Sequence, residues 1–254
     1  MSLRTLVLAA LIAAAGSGVV PAAAQPIPEP GVPAAPAETV PARSSISLRG
    51  PDGIRWGTAN ENETRSALSM AKLYLADYAL RHGDGSAEDR VHAERMVRVS
   101  DDAAADAVAA KYPQAIGSTA MEYGLERTAS TGSWHTATTS AADLVDFLAT
   151  KQATDPGSPI LGWMATAPPV AADGTQQNWG TARLPGVQGS KWGWSDLPPQ
   201  EVASASFGSG FTVAAHTRGS PDDQTADVAR ALVDVISRMA GIPRAAAGGD
   251  AAHR

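Results

Sequence analysis

The sequence predicts an α+β domain built on a mostly antiparallel five-stranded sheet, with helices on both faces and a helical subdomain in its middle. Two observations carry this reading. Strand-like segments gather at the two ends of the chain, two near residue 50 and three beyond residue 186, with helical periodicity between and after them. Strands separated in this way must meet in one sheet, and the helices then cover its faces. A third observation concerns the core. The 254 residues include no cysteine, so close packing rather than disulfides must hold the fold.

The elements follow in order. The chain begins Met1-Ser2-Leu3-Arg4, continues through the apolar run Leu6 to Ile12, and reaches Pro21-Ala22-Ala23-Ala24-Gln25. A basic start, a short apolar stretch and an Ala-x-Ala predict a secretory signal peptide over residues 1–24. The run is short for a membrane span, and an uncleaved N-terminal anchor is the alternative. Residues 25–44 are Pro/Ala-rich and read as an extended linker. The folded domain is expected over 45–241, followed by a disordered tail over 242–254. These features place the domain outside the cytoplasm, secreted or at the cell envelope.

Within the domain, Ile46–Arg49 and Ile54–Gly57 flank the turn Gly50-Pro51-Asp52-Gly53 and predict a β-hairpin. A helix is expected from Ser66 to Arg81, with Gly83 as its C-terminal cap. Ser86-Ala87-Glu88-Asp89 opens a second helix through Val97, Asp101 to Lys111 a third before Pro113, and Gln114 to Tyr123 a fourth. Ser140-Ala141-Ala142-Asp143 resembles a capping box ahead of a helix through Leu148, and Pro159 to Thr166 is a further short helix. Gly186–Trp194, Ala203–Phe207 and Phe211–His216 are strand-like. Ser220-Pro221-Asp222-Asp223 then starts a long amphipathic helix that stops at Gly241.

The formal charge of −6 favours neither nucleic acid nor an anionic membrane surface as partner. With no cysteine and no histidine cluster, neither a metal nor another cofactor is expected. A monomer is expected. Lysine is scarce, confined to Lys72, Lys111, Lys151 and Lys191. Two of these fall in segments with chemical content.

In Ser69-Met70-Ala71-Lys72 the spacing of three puts a hydroxyl and an amine on one helix face, a nucleophile beside a base. A position at a helix N-terminus favours negative charge on Ser69. Ser100-Asp101-Asp102 starts a helix, where Ser100 serves either as an ordinary N-cap or as a second hydroxyl of a site. Lys191-Trp192-Gly193 puts a lysine inside an apolar strand, facing solvent or facing a site. Trp192 and Trp194 share a strand face and Lys191 has the opposite parity. Either the lysine or the tryptophans therefore face a cleft. Trp163, Trp179, Trp192 and Trp194 are candidates for a substrate groove or for core packing.

Ser-x-x-Lys, then Ser-Asp-x, then Lys-x-Gly, in this order on helix, loop and late strand, resembles the serine β-lactamase and penicillin-binding protein (D,D-peptidase) superfamily, in its class A β-lactamase-like form. Thr138-Thr139-Ser140-Ala141-Ala142-Asp143-Leu144, Ile160-Leu161-Gly162-Trp163-Met164 and Leu184-Pro185-Gly186 resemble further class A segments. The similarity spans most of residues 45–241. It implies a β-lactamase/transpeptidase-like fold and a set of roles. Ser69 is the acylated nucleophile, Lys72 accepts its proton, Ser100 relays a proton to the leaving nitrogen, and Lys191 attracts the substrate carboxylate. Backbone N–H groups of Ser69 and Trp194 form the oxyanion hole. Asp102, Trp192, Gly193 and Trp194 make the substrate contacts.

Three departures accompany the resemblance. Asp102 stands where an asparagine would donate to the substrate, and an ionised carboxylate cannot donate. Trp192 replaces the hydroxyl residue of Lys-Thr-Gly. The segment after Tyr123 lacks the Glu-x-x-Leu-Asn loop that activates the deacylating water; Glu122 and Glu126 are the nearest acids, and His135 is a candidate activator or a structural residue. The leading expectation is a secreted serine hydrolase or acyltransferase acting at the cell wall through an acyl-enzyme on Ser69. Its partner is a cell-wall peptide or a β-lactam-like acyl donor. The alternative is a catalytically inactive protein of this fold that binds peptidoglycan or an envelope partner. A true β-lactamase is the third reading.

Overall fold

The structure, a computed structural model, describes residues 40–239. The expected signal peptide, most of the linker and the C-terminal tail lie outside the described residues. The chain forms strands β1 (Ser44–Arg49), β2 (Arg55–Gly57), β3 (Arg65–Ser66), β4 (Thr138–Thr139), β5 (Val187–Trp194), β6 (Glu201–Gly208) and β7 (Phe211–Arg218). Its helices are α1 (Ala71–His82), α2 (Ala87–Val99), α3 (Asp102–Lys111), α4 (Ala115–Tyr123), α5 (Ala141–Thr154), α6 (Pro159–Ala165) and α7 (Pro221–Met239).

The two N-terminal and three C-terminal strands meet in one antiparallel sheet of order β2-β1-β7-β6-β5, as the strand grouping predicts. β3 and β4 pair separately beside the helical block. Strand alternation divides the core into two. Val213 and Ala215 of β7 pack with Ile46, Leu48, Val228, Leu232, Val235 and Ile236 under α7. Ala214 lies between them on the other face, with Ala203 and Ala205 of β6, and joins Met70, Tyr74, Leu144 and Phe147. Tyr74 and Phe147 meet edge to face at 5.2 Å. Small alanines on this face let the helices carrying the site lie close to the sheet.

One helix start differs from the sequence expectation. Leu68 has φ +51°, a left-handed value that no right-handed helix accommodates. Residues Leu68–Met70 therefore form a 3-10 turn and α1 begins only at Ala71, while Ser66 is drawn into β3. At the other end of α1, Gly83 is extended rather than left-handed. A Cβ there would lie 2.2 Å from the Ala79 carbonyl oxygen and 2.7 Å from Asp89 Oδ2, so the helix end requires glycine for space.

The helical block is tied together by a buried ion pair. Asp77 of α1 and Lys151 of α5 bond directly, each side chain 1% exposed. Asp77 also accepts from Arg81 Nε at 2.9 Å and from Tyr123 Oη at 3.2 Å.

His216 on β7 is buried, and its Nε2 has no hydrogen-bond partner. Burial first, then the Arg65 guanidinium, pushes its pKa down to about 3. The folded ring is thus neutral, while the unfolded chain takes up a proton below about 6.5. Because the folded value is depressed, the contribution is intact above pH about 6.5 and is lost as pH falls toward 3. The expected slope from this residue is about 1.4 kcal/mol per pH unit in that window. Urea midpoints between pH 4 and 7 should show it, and His216→Phe should flatten it.

Candidate active site

Ser69 sits in the 3-10 turn immediately after the left-handed Leu68 and is 8% exposed. Its peptide is held from two sides. Ala67 N–H donates to the Ala137 carbonyl at 2.8 Å, which fixes the turn against the loop before β4. On the other side β5 comes so near at Gly193 that a Cβ there would lie 2.9 Å from the Ser69 nitrogen. The strained φ at Leu68 costs on the order of 1–3 kcal/mol, and it persists because the surrounding contacts over-determine it.

Lys72, in the first turn of α1, points back to Ser69. Its Nζ is completely buried and donates to Ser69 Oγ at 2.7 Å and to the Ser100 carbonyl at 2.9 Å. It also makes a short ion pair with Asp102, whose side chain is 59% exposed. The face of Trp134 covers it, 4.5 Å from ring centroid to Nζ. Burial pulls the Lys72 pKa below the usual lysine value, and Asp102 pulls the other way without reversing the shift. The proton count matters here. An ammonium spends its three hydrogens on these three acceptors. A neutral amine keeps a lone pair free for the Ser69 hydroxyl proton.

Ser100 and Lys191 form a second hydroxyl–amine pair. The sequence left open whether Ser100 is an N-cap. Asp101 takes that role instead, accepting from Ala104 N–H at 3.1 Å at the start of α3. Ser100 adopts φ +56° at the end of α2, which turns its hydroxyl toward the sheet. There it accepts from Lys191 Nζ at 2.6 Å. Lys191 donates its next hydrogen to the Trp192 carbonyl at 2.9 Å and is fully buried. Burial, and then the positive charge of Lys72, push its pKa well down.

Strand parity is resolved in favour of the lysine. Lys191 and Gly193 face the turn that carries Ser69. Trp192 points to the opposite face, where it packs with Trp179 and Val202 and donates to the Trp179 carbonyl at 2.9 Å. The expected substrate contact from Trp192 is therefore corrected: its ring is core, because the pleat carries it away from Ser69. Trp163 and Trp179 are core as well. Trp194, at the strand end, shares the face of Trp192 and packs partly against the same cluster, and it is also among the residues that line the cleft.

That cleft has a volume of about 270 Å³ and is lined by Ser69, Asp102, Trp134, His135, Asp173 and Trp194, together with the loop Ser195–Leu197. Lys191 is not part of the wall and lies beneath it. Glu122 pairs with Arg81 and His82, and Glu126 lines a different cavity, so neither reaches Ser69. His135 does line the cleft, 3.3 Å from Asp106 and stacked on Trp134 at 3.8 Å. Asp106 also accepts from Trp134 Nε1 at 2.8 Å. Trp134 and Asp173, which line the cleft, and Asp106, which holds Trp134 and His135 from behind, are residues that the motifs did not reveal. They come from a helix and two loops that only the tertiary fold brings together.

No family model matches the sequence, and no curated protein is similar to it in sequence. Solved structures share its fold. A β-lactamase from Sphaerobacter thermophilus matches with a TM-score of 0.60 at 13% identity, covering 79% of this chain and 92% of that one. Penicillin-binding protein D2 from Listeria monocytogenes, in a cefotaxime-bound form, matches with 0.56 at 15% identity, covering 76% and 96%. A D-alanyl-D-alanine carboxypeptidase from Mycobacterium tuberculosis matches with 0.54 at 18% identity, covering 79% and 92%. The chain has the fold of the serine β-lactamases and penicillin-binding proteins.

Proposed function

We propose that this chain, folded like the serine β-lactamases and penicillin-binding proteins, is an extracytoplasmic serine acyltransferase or hydrolase that forms an acyl-enzyme on Ser69 with a cell-wall peptide or a related acyl donor. The observation that carries the proposal is Ser69 Oγ lying 2.7 Å from the buried amine of Lys72 in the wall of a cleft. Neutral Lys72 takes the hydroxyl proton as Ser69 Oγ bonds to the scissile carbonyl carbon. The oxyanion is received by the backbone N–H groups of Ser69 and Trp194, at about 2.7–4 kcal/mol for each donor. Ser100 protonates the leaving group as the acyl bond to it breaks, and the proton held by Lys72 restores the Ser100 hydroxyl. Water or an amine acceptor then attacks the ester and frees Ser69. The basic and apolar N-terminal sequence supports an extracytoplasmic position.

Incubation with a fluorescent penicillin or a fluorophosphonate, followed by mass spectrometry, tests the proposal. A covalent adduct on Ser69 that disappears in Ser69→Ala is expected. No adduct with either reagent, in folded protein, would sink the acyl-enzyme.

A second reading, a non-catalytic binder of peptidoglycan or an envelope partner, draws on the ion pair between Asp102 and Lys72. The carboxylate favours the ammonium, the wrong form for a base. Asp102→Asn removes that pull and lowers the Lys72 pKa further. Acylation at pH 7 should then accelerate about threefold to tenfold, the scale of about 1 kcal/mol for a half-exposed pair. Stopped-flow or quenched labelling reads the rate. A slower variant would count against Lys72 as the base.

A further inference from the structure

We infer that the cleft takes acyl donors whose leaving group carries a positive charge and turns away donors that end in a free carboxylate. The inference rests on the acyl-transfer reading of Ser69 and adds the charge class of its substrate.

The first ground is the charge of the wall. Asp102, Asp173 and Asp196 line the cavity with Ser69, and among the described residues no lysine or arginine does. Asp102 is answered by Lys72. Asp173 accepts from Thr175 N–H at 2.9 Å and from Trp194 Nε1 at 3.2 Å, and it forms no salt bridge among the described residues. A narrow cleft with low-dielectric walls focuses such a field on whatever enters.

The second ground is the placement of Lys191, the amine expected to attract a carboxylate. Lys191 lies wholly under the wall, committed to Ser100 Oγ and the Trp192 carbonyl. The bulky Trp192 ring, turned to the core, supplies no hydroxyl to help it. A carboxylate entering beside Ser69 thus meets Asp173 and Asp196; among the described residues neither is in a salt bridge, and no lysine or arginine lines the wall.

The third ground is aromatic. Trp194 is among the residues that line the cleft; its side chain is partly buried against Trp179, Trp192 and Val202, and its indole N–H donates to the Asp173 carboxylate at 3.2 Å. An aromatic face beside a carboxylate attracts an ammonium group through charge and ring quadrupole together.

Three N-acetylglycine thioesters test this. Their leaving thiols are thiocholine, 3,3-dimethylbutanethiol and 3-mercaptopropionate, which match in size and carry positive, zero and negative charge. With the full chain, acylation of Ser69 is followed by thiol release and by mass. With Ser69→Ala, binding of the same three esters is followed by titration calorimetry. The thiocholine ester is expected to bind and to acylate at least tenfold better than the mercaptopropionate ester. The preference should shrink in Asp173→Asn/Asp196→Asn, and also when salt is raised to about 0.5 M. The salt series on the unmutated chain decides if the double variant does not fold. A charge preference in binding without acylation by any ester would remove the acyl-transfer reading and leave the inference standing. Equal or stronger binding of the carboxylate ester, no binding of the thiocholine ester, or a preference indifferent to salt would each overturn the inference.

Discussion

Lys72→Met is expected to slow acylation of Ser69 by about 10²–10⁴-fold, the usual worth of a positioned base, while leaving the domain at least as stable. The two halves of this expectation have different causes. The rate falls because the buried Nζ, 2.7 Å from Ser69 Oγ, is the only amine that reaches that hydroxyl among the described residues. Stability holds because a buried ammonium exchanged for a side chain of similar length no longer has to be desolvated. Asp102, more than half exposed, returns to water when its partner is gone. The wild-type rate should climb with pH and level off below the ordinary lysine value, since burial lowers the Lys72 pKa. The variant should lose that limb. Quenched-flow labelling against pH, with urea denaturation on the same samples, reads both. A rate indifferent to the substitution would show that Lys72 is not the base.

Asp77→Ala is expected to destabilise the domain by about 3–5 kcal/mol without touching the cleft. The substitution removes the buried partner of Lys151, whose side chain is 1% exposed, and leaves its ammonium only the half-exposed Asp155 carboxylate at 3.3 Å. The same change strips acceptors from Arg81 and Tyr123. In the native arrangement burial pulls the Lys151 pKa down, and Asp77 together with Tyr123 more than offsets this, so the Lys151 pKa ends above the ordinary lysine value. The cost should therefore come from the orphaned charge rather than from lost packing. The double variant Asp77→Ala/Lys151→Met should recover most of it, and a double-mutant cycle in urea measures the coupling. Equal losses in the single and double variants would mean that the pair contributes only through its volume.

Much of this molecule is legible from its sequence, for reasons that differ by element. The sheet could be read because its strands are grouped at the chain ends, and only one arrangement buries them together. Ser69, Lys72, Ser100 and Lys191 stood out because four residues of the right chemistry occur in a fixed order where lysine is rare. The start of α1 was misplaced because Leu68 carries no local mark of its left-handed backbone; the constraint is imposed by β5 and the loop before β4. Ser100 and Asp101 are both good caps, so only the fold could assign the cap to Asp101 and release the neighbouring hydroxyl. Trp192 posed a parity question with two answers until β5 had a partner on each face. Asp173 lies in a segment without periodicity, and its place in the cleft is purely tertiary; Asp106 is on the legible helix α3, but its contacts with Trp134 and His135 are not legible.

The pairing of β1 with β7 has a bearing on how the domain comes to exist. Ser44 and Thr217, hydroxyl to hydroxyl at 2.8 Å, are 173 residues apart in the chain. The hairpin of β1 and β2 is local, but β7, which completes β1 on its other side, lies beyond the whole helical block. Closing so long a loop has to precede the contacts that reward it, which makes such topologies slow to fold. The helical block has neighbours close in sequence and meets no such delay. Beyond its local hairpins, the sheet is thus complete only once β1 has paired with β7 across the whole helical block.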